Sequence, residues 1–104
     1  EIAYVTDTPV DVTTETFVQR VKLLLHEVWL TDAEAERDEG ERSIHSFLSG
    51  VAQISKRAEV SRLMPIHHHP RRSNAEIRKL IQEMGDLAGS EVLVPEEGRI
   101  YYLD

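Results

Sequence analysis

Short apolar runs alternate with amphipathic stretches along this chain of 104 residues. The apolar, β-branched residues 2–6 predict a strand, and the continuous apolar run at 21–26 predicts a second strand that is buried on both faces. A third strand is predicted at 60–66, where a short apolar stretch ends at histidines. Two closing strands are predicted at 91–94 and 99–103, joined by a turn that could make them a hairpin at one edge of the sheet.

Helices are predicted between these strands. Thr13 or Thr14 could cap a short helix that runs to about residue 20. Apolar residues recur at helical spacing from 46 to 58. The sequence Ser73-Asn-Ala-Glu76 is a capping box, and the helix that it opens is expected to stop at Gly89. Strands alternating with helices predict an α/β layered fold.

Charge is concentrated in the segment 31–42, which holds six acidic and two basic residues and so four of the seven net negative charges of the chain. Such a run is typical of a solvated loop or a frayed helix. The alternative is a mobile loop over a functional site.

Composition narrows the class of protein. The length allows one domain. No apolar run approaches the roughly 20 residues of a membrane span, so no membrane partner is expected. The absence of cysteine excludes a disulfide scaffold and a thiolate site, and it fits a cytoplasmic location. A net charge of −7 gives no overall field that attracts nucleic acid.

Side chains that can bind metal or transfer protons follow the ends of the predicted strands. Asp7 closes the first strand, His26 and Glu27 close the second, and the histidines 67–69 close the third. These groups meet at one rim if the strands are parallel. Carboxylate and imidazole suit zinc, manganese or iron. With His45, Glu27 would form an acid–base pair if the fold brings them within about 3 Å.

Each of these residues also has an ordinary structural interpretation. An aspartate before Thr8-Pro9 is typical of a turn, and the pair His26-Glu27 is typical of a surface. Three adjacent histidines are harder to explain in this way. Since neighbouring side chains on a strand point to opposite faces, at most His67 and His69 share one side, and His68 should point away.

Four segments resemble, in order, motifs of the metallo-β-lactamase-fold hydrolases, and among these the ribonuclease Z family. The strand ending in Thr6-Asp7-Thr8 resembles the family's Gly-Asp-Thr. The other three segments resemble its His-Glu-Ala-Thr, His-Ser-Thr and His-Phe-Ser-Ser-Arg-Tyr motifs, and they are His26-Glu27-Val28-Trp29, His45-Ser46-Phe47 and His67-His68-His69-Pro70-Arg71-Arg72.

The resemblance implies a fold and a set of roles. The fold would be the C-terminal half of an αββα sandwich, with a mixed sheet and helices on one face, over residues 1–104. Asp7 would bridge two divalent metal ions, usually zinc with manganese as the alternative, and His67 would complete the second metal site. The roles of the other site residues would be catalysis for Glu27 and His45, and substrate contact for His69 and Arg71.

The resemblance also implies partners and a reaction. The family's main metal motif, His-x-His-x-Asp-His, does not occur in the sequence, so an N-terminal half with the remaining ligands is expected as a partner. The implied activity is that of a tRNA 3′-end endonuclease or of a related phosphodiesterase. A metal-bound hydroxide would attack the phosphorus of RNA or of a small phosphodiester, and a homodimer is left open. The alternatives are hydrolysis of another ester, a non-catalytic interaction module that keeps the half-fold, and a stand-alone metal-binding α/β domain.

Overall fold

A parallel β-sheet is the centre of the fold. The computed structural model describes residues 1–96 and 98–100. Over these residues the sheet has four strands, and each is parallel to its neighbour in the sheet. Their order in the sheet follows their order in the chain: β1 (Ile2–Val5), β2 (Leu23–Glu27), β3 (Arg62–Ile66) and β4 (Glu91–Val92).

The helices lie between the strands in sequence. They are α1 (Val12–Phe17), α2 (Asp32–Arg37), α3 (Glu39–Arg42), α4 (Leu48–Arg57) and α5 (Asn74–Ala88). None of the described helices combines the length and the apolar character that crossing a membrane requires.

One face of the sheet carries the hydrophobic core. Ala3, Leu24 and Leu63 are register partners on adjacent strands, and all three are buried against apolar residues of α4 and α5. On the opposite face Ile2 and Tyr4 of β1 are exposed, as expected from the alternation of side chains along a strand. The predicted placement of helices on one face is therefore confirmed.

The sheet differs from the prediction in two respects. We expected a mixed sheet, but the described strands are all parallel, and β4 pairs parallel to β3. The hairpin expected between β4 and 99–103 falls largely on residues outside the described part of the chain. The predicted strand at 99–103 is wrong at Arg99 and Ile100, which are irregular, and its residues 101–103 lie outside the described part of the chain.

The acidic segment 31–42 is helical, which agrees with the second of the two predicted forms, a solvated loop or a frayed helix, although its helices are capped. It forms α2 and α3, and α2 begins with a capping box in which Thr31 and Glu34 exchange hydrogen bonds. Asp38 accepts from the backbone N–H of Glu41 and so caps α3. The cap of α1 is likewise Asp11 instead of a threonine.

The last long helix agrees with its sequence signals. Ser73 and Glu76 form the predicted capping box, and Gly89 ends α5 with a left-handed φ of 65°. Its apolar residues Leu80, Ile81 and Met84 are buried, whereas Leu87 is exposed.

Candidate active site

The carboxyl ends of three adjacent strands bring together the side chains that sequence analysis singled out. Asp7 follows β1, Glu27 is the last residue of β2, and His67 follows β3. One ligand atom from each of the three lies within 4.8 Å of the others. The Nδ1 atom of His67 is 3.8 Å from a carboxylate oxygen of Asp7 and 3.5 Å from Oε1 of Glu27. The expected convergence on one rim is therefore present.

Asp7 and His67 leave the sheet through the same unusual backbone conformation. Their φ angles are 51° and 50°, in the left-handed region that non-glycine residues seldom adopt, with Asp and His among the exceptions. The Thr6 hydroxyl lies 2.9 Å from Nδ1 of His67 and links the two turns. The side chains of Asp7 and His67 are thus held at the rim by turns of matching shape.

Glu27 is a fully buried carboxylate that organises this rim. Its Oε1 accepts from the backbone N–H of Asp7 at 2.5 Å, and its Oε2 accepts from the backbone N–H of Ser46 at 2.7 Å. Nδ1 of His45 lies 3.0 Å from Oε2 and 3.2 Å from Oε1. The pair predicted between Glu27 and His45 is formed, and Glu27 is not the surface residue that its position after His26 suggested.

The segment that carries His45 is fixed by its backbone. The N–H of Leu30 donates to the Ser46 carbonyl at 3.1 Å, and the N–H of Leu48 donates to the Leu30 carbonyl at 3.0 Å. The buried hydroxyl of Ser46 donates to the Thr8 carbonyl at 2.6 Å. Segments after β1 and β2 and before α4 therefore form one hydrogen-bonded unit.

Trp29 lies among three imidazoles and was not predicted to be a site residue. Its ring stacks on His45, with centroids 4.3 Å apart and planes 12° apart. Its ring centroid is also 4.9 Å from that of His67 and 5.0 Å from that of His69, in tilted arrangements. Its position just after the end of β2, where the other candidates cluster, was the available sequence signal.

Arg72 connects this aromatic group to the acidic segment. Its side chain is only 6% exposed. Nη2 donates to the Trp29 carbonyl at 2.5 Å and to a carboxylate oxygen of Glu34 at 2.6 Å. Burial acts to raise the pKa of Glu34, but the hydrogen bonds from Arg72 and Thr31 outweigh it and the pKa is lowered. In the sequence Arg72 stood out only as a departure from the family motif.

The two predicted substrate-contact residues lie at the edge of the site. Arg71 is exposed, and its backbone N–H donates to Nδ1 of His69 at 3.2 Å. His69 and Trp29 line a cavity of about 310 Å³. Its charged walls are the acidic side chains of Glu34, Asp38 and Glu41 and the basic side chain of Arg37. Among the described residues, Arg71 is not one of those that line this cavity.

Two further histidines have structural environments. His26 is fully buried, and its Nδ1 donates to the Glu27 carbonyl at 2.9 Å, so the neutral ring carries its proton at Nδ1. Burial lowers the pKa of His26. Burial, followed by the positive charge of Arg72, also lowers the pKa of His68. Both rings therefore favour the neutral form.

The donor chemistry at the rim fits a divalent metal ion. The side chain of Asp7 is 69% exposed and that of His67 is 40% exposed, so a carboxylate oxygen and an imidazole nitrogen are accessible together. Glu27 fits less well, since both of its oxygens already accept hydrogen bonds. Protein zinc sites generally take three or four protein ligands, so Asp7 and His67 alone would be too few for such a site.

Comparisons with known proteins give a similar sequence and a similar fold. The chain is 31% identical over 97 residues to the ribonuclease Z of Natronomonas pharaonis, a match that covers 93% of this chain and 30% of that protein. It resembles the crystal structure of the metallo-β-lactamase fold protein YhfI from Bacillus subtilis with a TM-score of 0.75 and 19% identity, over 96% of this chain and 39% of that one. No family model matches.

Both comparisons cover nearly the whole of this chain but only part of the similar protein. The chain spans about a third of the length of the ribonuclease Z and about two fifths of the length of YhfI. Over that span it has the fold of a metallo-β-lactamase fold protein, and its sequence is ribonuclease Z-like.

Proposed function

We propose that this chain forms part of a metal-dependent hydrolase that cleaves phosphodiester bonds. The observation that carries the proposal is the meeting of Asp7 and His67, sixty residues apart in sequence and 3.8 Å apart at the rim, beside the buried Glu27–His45 pair. Similarity to a ribonuclease Z favours a phosphodiester over other esters.

In this proposal Asp7 and His67 hold divalent metal. A hard carboxylate and an imidazole without any thiolate suit zinc, with manganese as the alternative. A divalent ion, when bound, supplies Lewis acidity toward a phosphoryl oxygen. The further ligands would come from residues outside these 104, because the matched region is only 30% of the length of the ribonuclease Z.

His45 is the proposed proton donor to the departing oxygen. Glu27 engages the ring at Nδ1, which leaves Nε2 as the nitrogen for a substrate. The Glu27 carboxylate behind the ring orients it, as the hydrogen-bonded partner of a general acid does. The His45 side chain is 12% exposed, so its edge remains open to the rim.

The substrate would extend from the rim past His69 and Arg71. Arg71 is the exposed cation of this turn, and a guanidinium suits a phosphate oxygen. Three carboxylates and only one guanidinium, that of Arg37, line the neighbouring cavity, and this negative balance disfavours phosphate there. We therefore assign the phosphate to the rim and not to the cavity.

Metal analysis of the intact protein tests the ligands. We expect Asp7→Ala and His67→Ala to lower the bound zinc or manganese, while Asp86→Ala, an exposed acid on α5, leaves it unchanged. His45→Ala should retain the metal. Unchanged metal in both ligand variants would overturn the assignment and favour a non-catalytic module.

Turnover tests the reaction. His45→Ala should lower kcat by about a hundredfold on a chromogenic phosphodiester, the usual scale for loss of a general acid. Assays on precursor tRNA in parallel separate substrate classes. Activity on the small ester alone would exclude precursor tRNA as the substrate. Activity on neither substrate would exclude phosphodiesterase function.

A further inference from the structure

We propose that Trp29 is a positioning residue for His45 and that Arg72 holds Trp29 in place. This inference rests on the proposed function, because it concerns how the acid–base pair of that site is oriented. Trp29 and Arg72 act through His45, and neither is assigned a contact with the reacting atoms.

The His45 ring needs two constraints to present one edge to a substrate. The hydrogen bond from Nδ1 to Glu27 fixes one direction in the plane of the ring. It leaves the ring free to turn about that direction. The stack on Trp29, with planes 12° apart, fixes the plane itself. Together these two contacts determine where Nε2 lies.

The Trp29 indole contacts imidazoles from two separate segments of the chain. His45 precedes α4, whereas His67 and His69 follow β3, and all three ring centroids lie within 5.0 Å of the Trp29 ring. The His45 and His67 rings are 6.2 Å apart. Trp29 therefore sets the position of the proposed proton donor relative to the proposed metal ligand.

Arg72 fixes Trp29 from behind through a buried guanidinium. Nη2 binds both the Trp29 carbonyl and Glu34, which is itself part of the capping box of α2. The backbone N–H of Arg72 donates to the His69 carbonyl at 3.0 Å and closes the turn after the histidines. Loss of the guanidinium would release the Trp29 backbone and this turn from each other.

The first test is kinetic. We expect Trp29→Leu and Arg72→Met to lower kcat on the chromogenic phosphodiester by about tenfold or more, the scale on which misplacement of a reacting group acts. KM and metal content should change little. Trp29→Phe keeps an aromatic face and should restore most of kcat, and Arg72→Lys should restore part of it.

A matched control removes an arginine from a surface ion pair. Arg57 is 66% exposed and lies 3.9 Å from Glu15, away from the rim. Arg57→Met should leave kcat, KM and metal content unchanged. An equal loss of kcat in this variant would mean that the Arg72 effect is general and would overturn the proposal.

The second test is spectroscopic and does not depend on activity. Stacking under an indole shifts the carbon-bound ring protons of His45 in the NMR spectrum. Trp29→Leu should abolish that shift, Trp29→Phe should keep much of it, and the signals of buried His26 should stay in place. If Arg72→Met does not fold, the two Trp29 variants decide the question.

The two tests separate this inference from the proposed function. A wild-type protein without phosphodiesterase activity would refute the function, and the ring shifts of His45 would still decide the positioning. Normal kcat in folded Trp29→Leu, or His45 signals that do not move, would refute the positioning and leave the function standing.

Discussion

At the scale of a residue, Glu27 connects three segments of the chain through one carboxylate. Its oxygens accept backbone N–H groups from Asp7 and Ser46 and orient His45. A buried N–H group that loses its acceptor destabilises the folded protein. Loss of the His45 side chain leaves both N–H groups with their acceptor and therefore destabilises it less. Glu27 is therefore as much a folding residue as a site residue.

We expect Glu27→Ala to lower the free energy of unfolding by about 1–3 kcal/mol, because the N–H groups of Asp7 and Ser46 lose their acceptor. Urea denaturation measures this. His45→Ala is the comparison, since it leaves both backbone hydrogen bonds and should cost less. A larger loss in His45→Ala would contradict this account of Glu27.

His26 predicts a pH dependence of stability. Burial lowers its pKa in the folded protein from 6.5. Below about pH 6.5 the unfolded chain therefore binds a proton that the folded protein does not. The free energy of unfolding decreases as the pH is lowered from that value to the pKa of the folded protein. His68 acts in the same direction.

His26→Asn keeps a donor for the Glu27 carbonyl but does not titrate. In urea denaturation at pH 7.5 and 5.5, we expect the variant to lose less stability on acidification than the wild type. One titrating group contributes at most about 1.4 kcal/mol per pH unit. Equal losses in the two proteins would exclude His26 as the group responsible.

At the scale of an element, the end of α5 depends on a left-handed residue. Gly89 has a φ of 65°, and a Cβ there would lie 3.4 Å from Cγ of Lys56. We expect Gly89→Ala to destabilise the protein by about 1–2 kcal/mol, since this conformation disfavours a side chain. Thermal unfolding measures the change.

Gly85 in the same helix is the matched position. A Cβ there would meet no described atom within 4 Å, so Gly85→Ala should stabilise the helix by about 0.5–1 kcal/mol. The opposite signs of the two glycine substitutions are the prediction, and two losses of similar size would contradict it.

Elements whose signals are local could be predicted, and elements that depend on distant partners could not. The capping box of α5 uses Ser73 and Glu76 alone. The acidic segment 31–42 looked like a loop because its charges dominate its composition. Its helices are supported by Ala35, which is buried, and by Arg72, 38 residues from its partner Glu34.

At the scale of the whole molecule, the candidate site became visible in sequence because the strands are parallel. Parallel strands put the residues that follow them at one edge, so Asp7, Glu27 and His67 could be grouped from the sequence alone. The same argument places Trp29, just after β2, at this edge. It does not reveal the contact between Trp29 and Arg72, which joins positions 43 residues apart with no motif to mark it.

The acidic charge of the molecule predicts repulsion of an anionic substrate. Glu41 lines the cavity beside His69. We expect Glu41→Lys to lower KM for a phosphodiester by about threefold at low ionic strength, with the difference disappearing in high salt. Asp86→Lys, at an exposed position of α5, is the control and should change KM less. Equal effects would show that only net charge matters.

The left-handed backbone at Asp7 and His67 lowers stability, yet these positions carry the two side chains proposed to bind metal. Glycine would adopt both φ angles more readily than either residue. Directed evolution for heat tolerance alone should therefore enrich Asp7→Gly and His67→Gly. The selected variants would have a higher melting temperature and would lack the two proposed metal ligands. Enrichment of glycine elsewhere but not at these turns would show that neither residue is costly to the fold.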